Sequence, residues 1–358
     1  MMQREWFVRR WRGFALLVPL VGGASALFAA MVQQPAPATP SRPAGAALRV
    51  RYTGVNLSGA EFAGNRIPGI AGRDYAYPNA KTAAPFVAAG MTAVRLPFRW
   101  ERLQPMPMHA FDSQELARLD AAVSALGGFK LIILDPHNYA AYHNIKIGMP
   151  ETTSAMLADF WTRLAQHYGN RSRIAFGLMN EPSGLPIATW RDAAQESLSA
   201  IRRTGARNLV LVPGGNWTGA HGWIKGGATS NAALMASVRD PAGNMAYELH
   251  QYVDRNSSGT GSDCVSAEQA AASLAPASDW LREHHARGFL GEFGAPDTPQ
   301  CLAALGSLLK AMDSSRDVWL GWTYWAGGDR WHNYPMSIQP GLDGPRPQMA
   351  VLKPYLAR

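Results

Sequence analysis

Eight short β-rich runs, most of them separated by amphipathic helical stretches, constrain this 358-residue chain more than any other feature. They fall at Tyr52–Asn56, Ala93–Pro97, Lys130–Pro136, Ile174–Asn180, Asn208–Pro213, Ala246–His250, Gly288–Glu292 and Val318–Trp325. The clearest helical stretch is Asp112–Leu126. Asp112 and Glu115 there have the spacing of a capping box, and Leu116, Leu119, Val123 and Leu126 form one apolar stripe. Further helices are predicted over Thr152–His167, Trp190–Arg203, Ala267–Arg287 and Pro299–Asp313. Eight strand–helix units predict closure into a (β/α)8 TIM barrel. A doubly wound sheet is the competing α/β topology. It would place a G-x-G-x-x-G turn after the first strand, where this chain reads Val55-Asn56-Leu57-Ser58-Gly59. With no internal repeat and no later linker, residues 48–358 read as one domain.

Upstream, residues 1–12 are basic and Gly13 to Val32 is an uncharged run of 20 residues. Residues 1–32 therefore read as a signal peptide, with Ala24-Ser25-Ala26 as a small-residue cleavage site, or as an uncleaved N-terminal anchor. Arg9-Arg10 is compatible with a twin-arginine route. Residues 33–47 form a Pro/Ala-rich linker with no apolar face. Either reading places the rest of the chain outside the cytoplasm, as a secreted, periplasmic or N-terminally membrane-anchored protein. The formal charge is +8, but Arg4, Arg9, Arg10 and Arg12 against Glu5 put +3 of it in the first twelve residues. No later Lys/Arg run is dense enough for a phosphate-binding stripe, so nucleic acid is not expected as a partner. Twelve Trp, beyond their share of core, favour carbohydrate as ligand.

The residues near the predicted strand ends carry the chemistry. The second ends at Arg95, the third at His137 and Asn138, and the fourth at Asn180 and Glu181. His250 and Tyr252 end the sixth, Glu292 the seventh and Trp325 the eighth. Barrel chemistry is housed at the C-terminal strand ends, so these side chains should converge on one cleft. Glu181 and Glu292 would face each other across it. Paired carboxylates flanking a bond are what glycoside hydrolysis needs, one to protonate the leaving oxygen and one to attack. Read singly, either Glu is also readable as a structural partner of a cation such as Arg95.

Three segments carry a family resemblance: Asn180-Glu181-Pro182 after an apolar strand, Leu249-His250-Gln251-Tyr252, and Gly291-Glu292-Phe293-Gly294. With Gly214–His221 and Asn256–Thr260, the chain resembles family 5 glycoside hydrolases, in the branch of secreted endo-β-1,4-glucanases (cellulases). The resemblance spans about Gly54 to Trp325. It implies that Glu181 is the general acid/base and Glu292 the nucleophile of a retaining hydrolase that needs no cofactor. It implies further that Arg95 supports the nucleophile and that Asn180 contacts the sugar 2-hydroxyl. His137, His250 and Tyr252 would make the polar wall of that subsite, and Trp325 its aromatic floor.

Other residues are less constrained. Trp217, Trp223 and Trp331 are candidate further sugar platforms or, equally, loop anchors. His221 reads as a structural histidine satisfied by backbone. The nine His show no H-E-x-x-H or paired metal spacing, so no metal is expected. Cys264 and Cys301 are the only Cys, and in an exported chain they are expected to close one disulfide; the alternative is two free thiols. The expected activity is endo-acting hydrolysis of β-1,4-glucan by a monomer. A β-mannanase or mixed-linkage glucanase on the same site is the alternative, and a non-catalytic carbohydrate-binding barrel the reading from another class.

Overall fold

The computed structural model describes residues 50–331 and 333–356. The expected N-terminal segment 1–32 and linker 33–47 lie outside the described residues. Among the described residues no helix is long and apolar enough to cross a membrane.

Eight parallel strands close into a barrel in simple chain order: β1 (Tyr52–Leu57), β2 (Ala93–Phe98), β3 (Leu131–Pro136), β4 (Ile174–Gly177), β5 (Leu209–Pro213), β6 (Met245–His250), β7 (Gly288–Glu292) and β8 (Trp319–Gly327). β8 pairs with β1 to complete the ring. Helices fill the connections, with long loops over residues 58–79 after β1 and 251–266 after β6, so each strand is covered on its outer face and filled on its inner one. That double burial is why β3 reads as the nearly unbroken apolar run Leu131–Leu134.

Strand alternation divides the core into two. Val94, Leu96, Ile132, Leu134, Phe176 and Val210 point outward and pack in the large cluster that includes the buried helix residues. Ala93, Ile133, Ala175, Leu211, Ala246 and Phe289 point inward and plug the lower barrel as a separate apolar cluster. Two residues further along the same inward rows stand Arg95, Asp135, Gly177, Glu248 and Gly291. The barrel is therefore filled by hydrocarbon below and by buried charge above. The change of layer sets the height of the site.

Four expectations need correction. β4 stops at Gly177 rather than Asn180, because Leu178–Asn180 leave the ladder while Leu178 N still donates to Leu211 O at 3.0 Å. Arg95 lies in the middle of β2, not at its end. The single helix expected over Ala267–Arg287 is two, Ala267–Ala272 and Ala275–Glu283, with Pro276 in the first turn of the second. A proline there has no N–H to continue the preceding turn. Finally, Asp112 does cap the helix Ser113–Ala125 by accepting from Glu115 N, but the reciprocal half of the box is absent. The Glu115 carboxylate is buried and accepts instead from the hydroxyls of Tyr75 and Tyr77 at 2.6 and 3.0 Å.

Candidate active site

At the C-terminal end of the barrel the inward rows of six strands meet around Arg95. Its side chain is fully buried and its guanidinium is ringed by carboxylates and amide oxygens. Nη1 reaches Glu292 Oε1 at 2.9 Å, Asp135 Oδ2 at 3.0 Å and Asn56 Oδ1 at 3.1 Å. Nη2 donates to Asn180 Oδ1 at 2.9 Å, and Nε lies 2.8 Å from Glu248 Oε1. Burial alone would lower the pKa of Arg95, but Asp135, Glu248 and Glu292 hold it above its ordinary value. It remains a fixed cation. A buried ion network of this kind needs every member partnered, since one uncompensated charge in the interior is costly.

Glu292 is held at both oxygens. Arg95 takes Oε1, and the Tyr252 hydroxyl donates to Oε2 at 2.7 Å. Burial, then the charge of Glu292, pushes the Tyr252 phenol well above its ordinary pKa, so it stays a donor. Glu181 is held more loosely. Its side chain is 17% exposed against 5% for Glu292, and Oε1 accepts from His250 Nδ1 at 2.9 Å. The backbone of Glu181 is left-handed, at φ 39°, immediately before Pro182. That conformation costs a non-glycine residue on the order of 1–3 kcal/mol and turns the carboxylate back over the cleft.

His250 links the two carboxylates. Its Nδ1 also lies 3.6 Å from Glu292 Oε2, and its Nε2 lies 3.4 Å from Glu248 Oε1. Burial would push the imidazole pKa down, but Glu292, Glu181 and Glu248 together push it up to about 10. Reactive oxygen and nitrogen atoms of Glu181, His250 and Glu292 lie within 4.8 Å of one another. These three are close enough to converge on a cation, although Arg95 and the imidazolium already supply positive charge there.

The opposite wall is His137, stacked on Trp325 with ring centroids 5.2 Å apart and planes 18° apart. Its Nδ1 meets Asp135 Oδ2 at 2.8 Å, and burial holds its pKa well below the ordinary value. The neutral ring keeps its proton on Nδ1 toward Asp135 and leaves Nε2 as an acceptor 3.4 Å from the Tyr139 hydroxyl. Asn180 Nδ2 is buried with no protein partner, its carbonyl oxygen being fixed by Arg95. The structure thus brings all eight expected residues together: Arg95, His137, Asn180, Glu181, His250, Tyr252, Glu292 and Trp325.

The chain from residue 51 to 328 matches the family described as Cellulase (glycosyl hydrolase family 5). The protein belongs to glycosyl hydrolase family 5. It is 34% identical over 292 residues to endo-β-1,4-glucanase B of Aspergillus niger, covering 81% of this chain and 85% of that one. Among solved structures it is similar to XacCel5A in complex with cellopentaose, at 44% identity, 86% and 99% coverage and a TM-score of 0.84. It is also similar to Pseudomonas stutzeri endoglucanase Cel5A, at 31% identity, 86% and 94% coverage and a TM-score of 0.79.

Within this family 5 barrel the three uncertain tryptophans separate. Trp223 is not a sugar platform. It is fully buried and packs edge-on against Trp280 and Tyr247 behind the barrel wall. Trp217 is 58% exposed on the loop after β5. Trp331 stands beside the site, stacked on Tyr334 at 4.4 Å and edge-on to Trp325 at 6.0 Å. His221 is satisfied by a side chain rather than backbone, since both its backbone N and Nδ1 meet Gln251 Oε1. Cys264 and Cys301 form a disulfide, joining the loop after β6 to the helix Pro299–Ser314 after β7.

Sequence reasoning missed Asp135, Glu248, Asn56 and Tyr139. Asn56 Nδ2 donates to Gly291 O at 2.9 Å and locks β1 against β7 beneath Arg95. The Tyr139 hydroxyl hydrogen-bonds to His137 Nε2 at 3.4 Å. The two acids did carry a signal: each stands two residues before a cleft histidine in an otherwise apolar strand, and so on the same inward face. Space for the Glu248 carboxylate exists only because residue 291 is glycine, where a Cβ would overlap Glu248 Oε1.

Proposed function

We propose that this family 5 hydrolase is an exported endo-β-1,4-glucanase acting by double displacement, with Glu292 as nucleophile and Glu181 as acid/base. The observation that carries the reading is the asymmetry of the two carboxylates. A nucleophile benefits from a fixed, charge-compensated position, and Glu292 is pinned at both oxygens by Arg95 and Tyr252. An acid/base must reach the glycosidic oxygen and later water, and Glu181 is the more exposed, with one ring partner. Their oxygens lie within 4.8 Å. That spacing suits the roughly 5–5.5 Å of retaining enzymes and leaves no room for the water of an inverting pair at about 6.5–9.5 Å.

In the first step a Glu292 oxygen attacks the anomeric carbon while Glu181 gives its proton to the leaving oxygen. The C–O bond to the departing chain breaks, and the remaining sugar is esterified to Glu292. Water then enters, Glu181 takes its proton, and the ester is released with retained configuration. Esterification removes the negative charge of Glu292, while Arg95 keeps Asp135 and Glu248 as counter-charges and so stays in place. The unpartnered Asn180 Nδ2 donates to the 2-hydroxyl, and Trp325, backed by His137, carries the ring. Trp217 and Trp331 extend the aromatic surface along a glucan chain. No step requires a cofactor or metal.

The protein takes β-glucan polymers or oligosaccharides as substrate, does not bind nucleic acid and works as a monomer. The Cys264–Cys301 disulfide accords with an oxidising, extracytoplasmic compartment. Product analysis on soluble cellulose derivative, defined cello-oligosaccharides and mannan tests the reading. Internal cleavage of the glucans is expected. Faster release from mannan would assign the barrel to mannan, and binding without release would make it a non-catalytic carbohydrate-binding protein.

A further inference from the structure

The end of the barrel opposite the cleft carries a charge pattern that catalysis does not use. Arg51 precedes β1, Lys130 precedes β3, Arg171 and Arg173 precede β4, Arg207 precedes β5 and Arg287 precedes β7. All are exposed except the half-buried Arg287. Among the described residues none of the six has a carboxylate within 4.0 Å. A hollow of about 280 Å³ at this end is lined by Arg51, Arg207 and Arg287 with Asn170 and Asn244, and by no acid. A neighbouring hollow is lined by Arg171 and Arg173. Its one acid, Asp120, already accepts from His167 and Tyr168. Of the other acids toward this end, Asp240 is taken by Arg202 and Asp317 by Arg282, while among the described residues the exposed Glu283 has no cation within 4.0 Å.

The concentration is local. Residues 50–356 hold 27 Lys and Arg against 25 Asp and Glu, so without these six cations the described residues hold 21 basic against 25 acidic groups. Unpaired cations on one face repel each other unless an anionic partner screens them. We infer that this floor docks the barrel on an anionic phospholipid surface with the cleft facing away. Two observations favour a lipid surface over an acidic polymer. The cations come from five strand starts spread around a barrel end, which suits a plane better than a single chain. The chain also enters the barrel on this face, at Arg51, directly downstream of the linker and the 20-residue apolar run. The second point rests on the export reading; the charge pattern does not.

Hydrogen exchange of the full chain with vesicles tests the inference, because it reads the floor itself. The vesicles are phosphatidylcholine with or without about 30% phosphatidylglycerol. Insertion of the apolar N-terminal run would occur in both and would leave the floor unchanged. Docking should slow exchange around residues 170–173 and 206–208 by about tenfold with the anionic vesicles only. Protection should vanish in about 0.5 M salt, where screening is nearly complete. It should also vanish in the triple variant Arg51→Glu/Arg207→Glu/Arg287→Glu, whose hydrolysis of soluble glucan should match wild type and show that it is folded. Should the triple variant misfold, the single variant Arg207→Glu replaces it, with a partial loss of protection expected. Equal exchange on both vesicles, or protection that survives the substitutions, overturns the inference. Protection by polygalacturonate but not by anionic vesicles also overturns it, in favour of an acidic polymer.

Discussion

Strands β3 and β6 carry the same device, an acid followed two residues later by a histidine: Asp135 with His137, and Glu248 with His250. Both acids are fully buried and both reach Arg95. Their titration is nevertheless opposite. Burial raises Asp135 to about 7, with Arg95 only partly opposing it, and His137 is pushed well below its ordinary value. For Glu248, burial is outweighed by Arg95 and His250, which hold it below its ordinary value, while His250 is pushed up to about 10. What differs is the surroundings. His137 leans on Trp325 and Tyr139, whereas His250 sits between Glu181 and Glu292 with Glu248 beneath. Protonation follows the neighbours and not the local motif. The β3 pair is a support for shape whose imidazole stays neutral; the β6 pair is a charged clamp on the two carboxylates.

The comparison can be broken in order of expected size. Glu292→Gln should lower kcat/KM by about 10⁴-fold or more, as loss of a nucleophile does. The same variant removes the leading charge that raises His250, so the ring should titrate well below 10 by NMR while His137 stays neutral. An unmoved His250 would detach it from the clamp. Glu248→Gln should come next, with kcat down about 10²-fold, KM little changed and the His250 titration again lowered. Glu248 touches no substrate and acts through Arg95 and His250, so a change in KM alone would contradict the positioning role. Asp135→Asn should cost less than about tenfold, because a group titrating near 7 is already half neutral at that pH and Asn keeps an acceptor for His137 Nδ1. A larger loss for Asp135→Asn than for Glu248→Gln would invert the comparison.

The smallest expected effect is on stability against pH. Both Asp135 and His250 have folded-state pKa values above their unfolded ones, so each favours folding most at low pH. The Asp135 contribution is complete below its ordinary value near 3.8 and fades as pH rises through about 7. That of His250 is complete below 6.5 and fades as pH rises through about 10. Thermal unfolding across pH should show both declines. Asp135→Asn should flatten the first and Glu248→Gln the second.

Much of this was legible in the sequence, for identifiable reasons. Short β-rich runs and helix caps depend on local sequence, and they placed eight strands within a few residues. Polar side chains where an apolar layer belongs, together with Trp325 at the last strand end, picked out the eight residues of the cleft. Asp135 and Glu248 escaped because a single acid inside a strand reads as an interruption until its two-residue offset from a histidine is noticed. Trp217 and Trp223 share one loop six residues apart, and which of them turns inward depends on Trp280 and Tyr247, far away in sequence. The helix break before Pro276 was readable, since proline cannot extend the turn before it. The left-handed turn at Glu181 was not, because nothing local favours a Glu there.

The division of labour between the carboxylates is tested most directly by Glu181→Gln on a dinitrophenyl cellobioside, whose leaving group needs no proton. Glu292 intact should give a rapid burst of phenolate followed by a stall, as the glycosyl-enzyme accumulates without a base to activate water. Added azide should restore turnover and yield a glycosyl azide of retained configuration. Glu292→Gln should give neither the burst nor that product. If Glu292→Gln bursts and forms the retained azide while Glu181→Gln does neither, the roles are reversed; if both variants keep near-wild-type turnover, the chemistry lies elsewhere in the barrel.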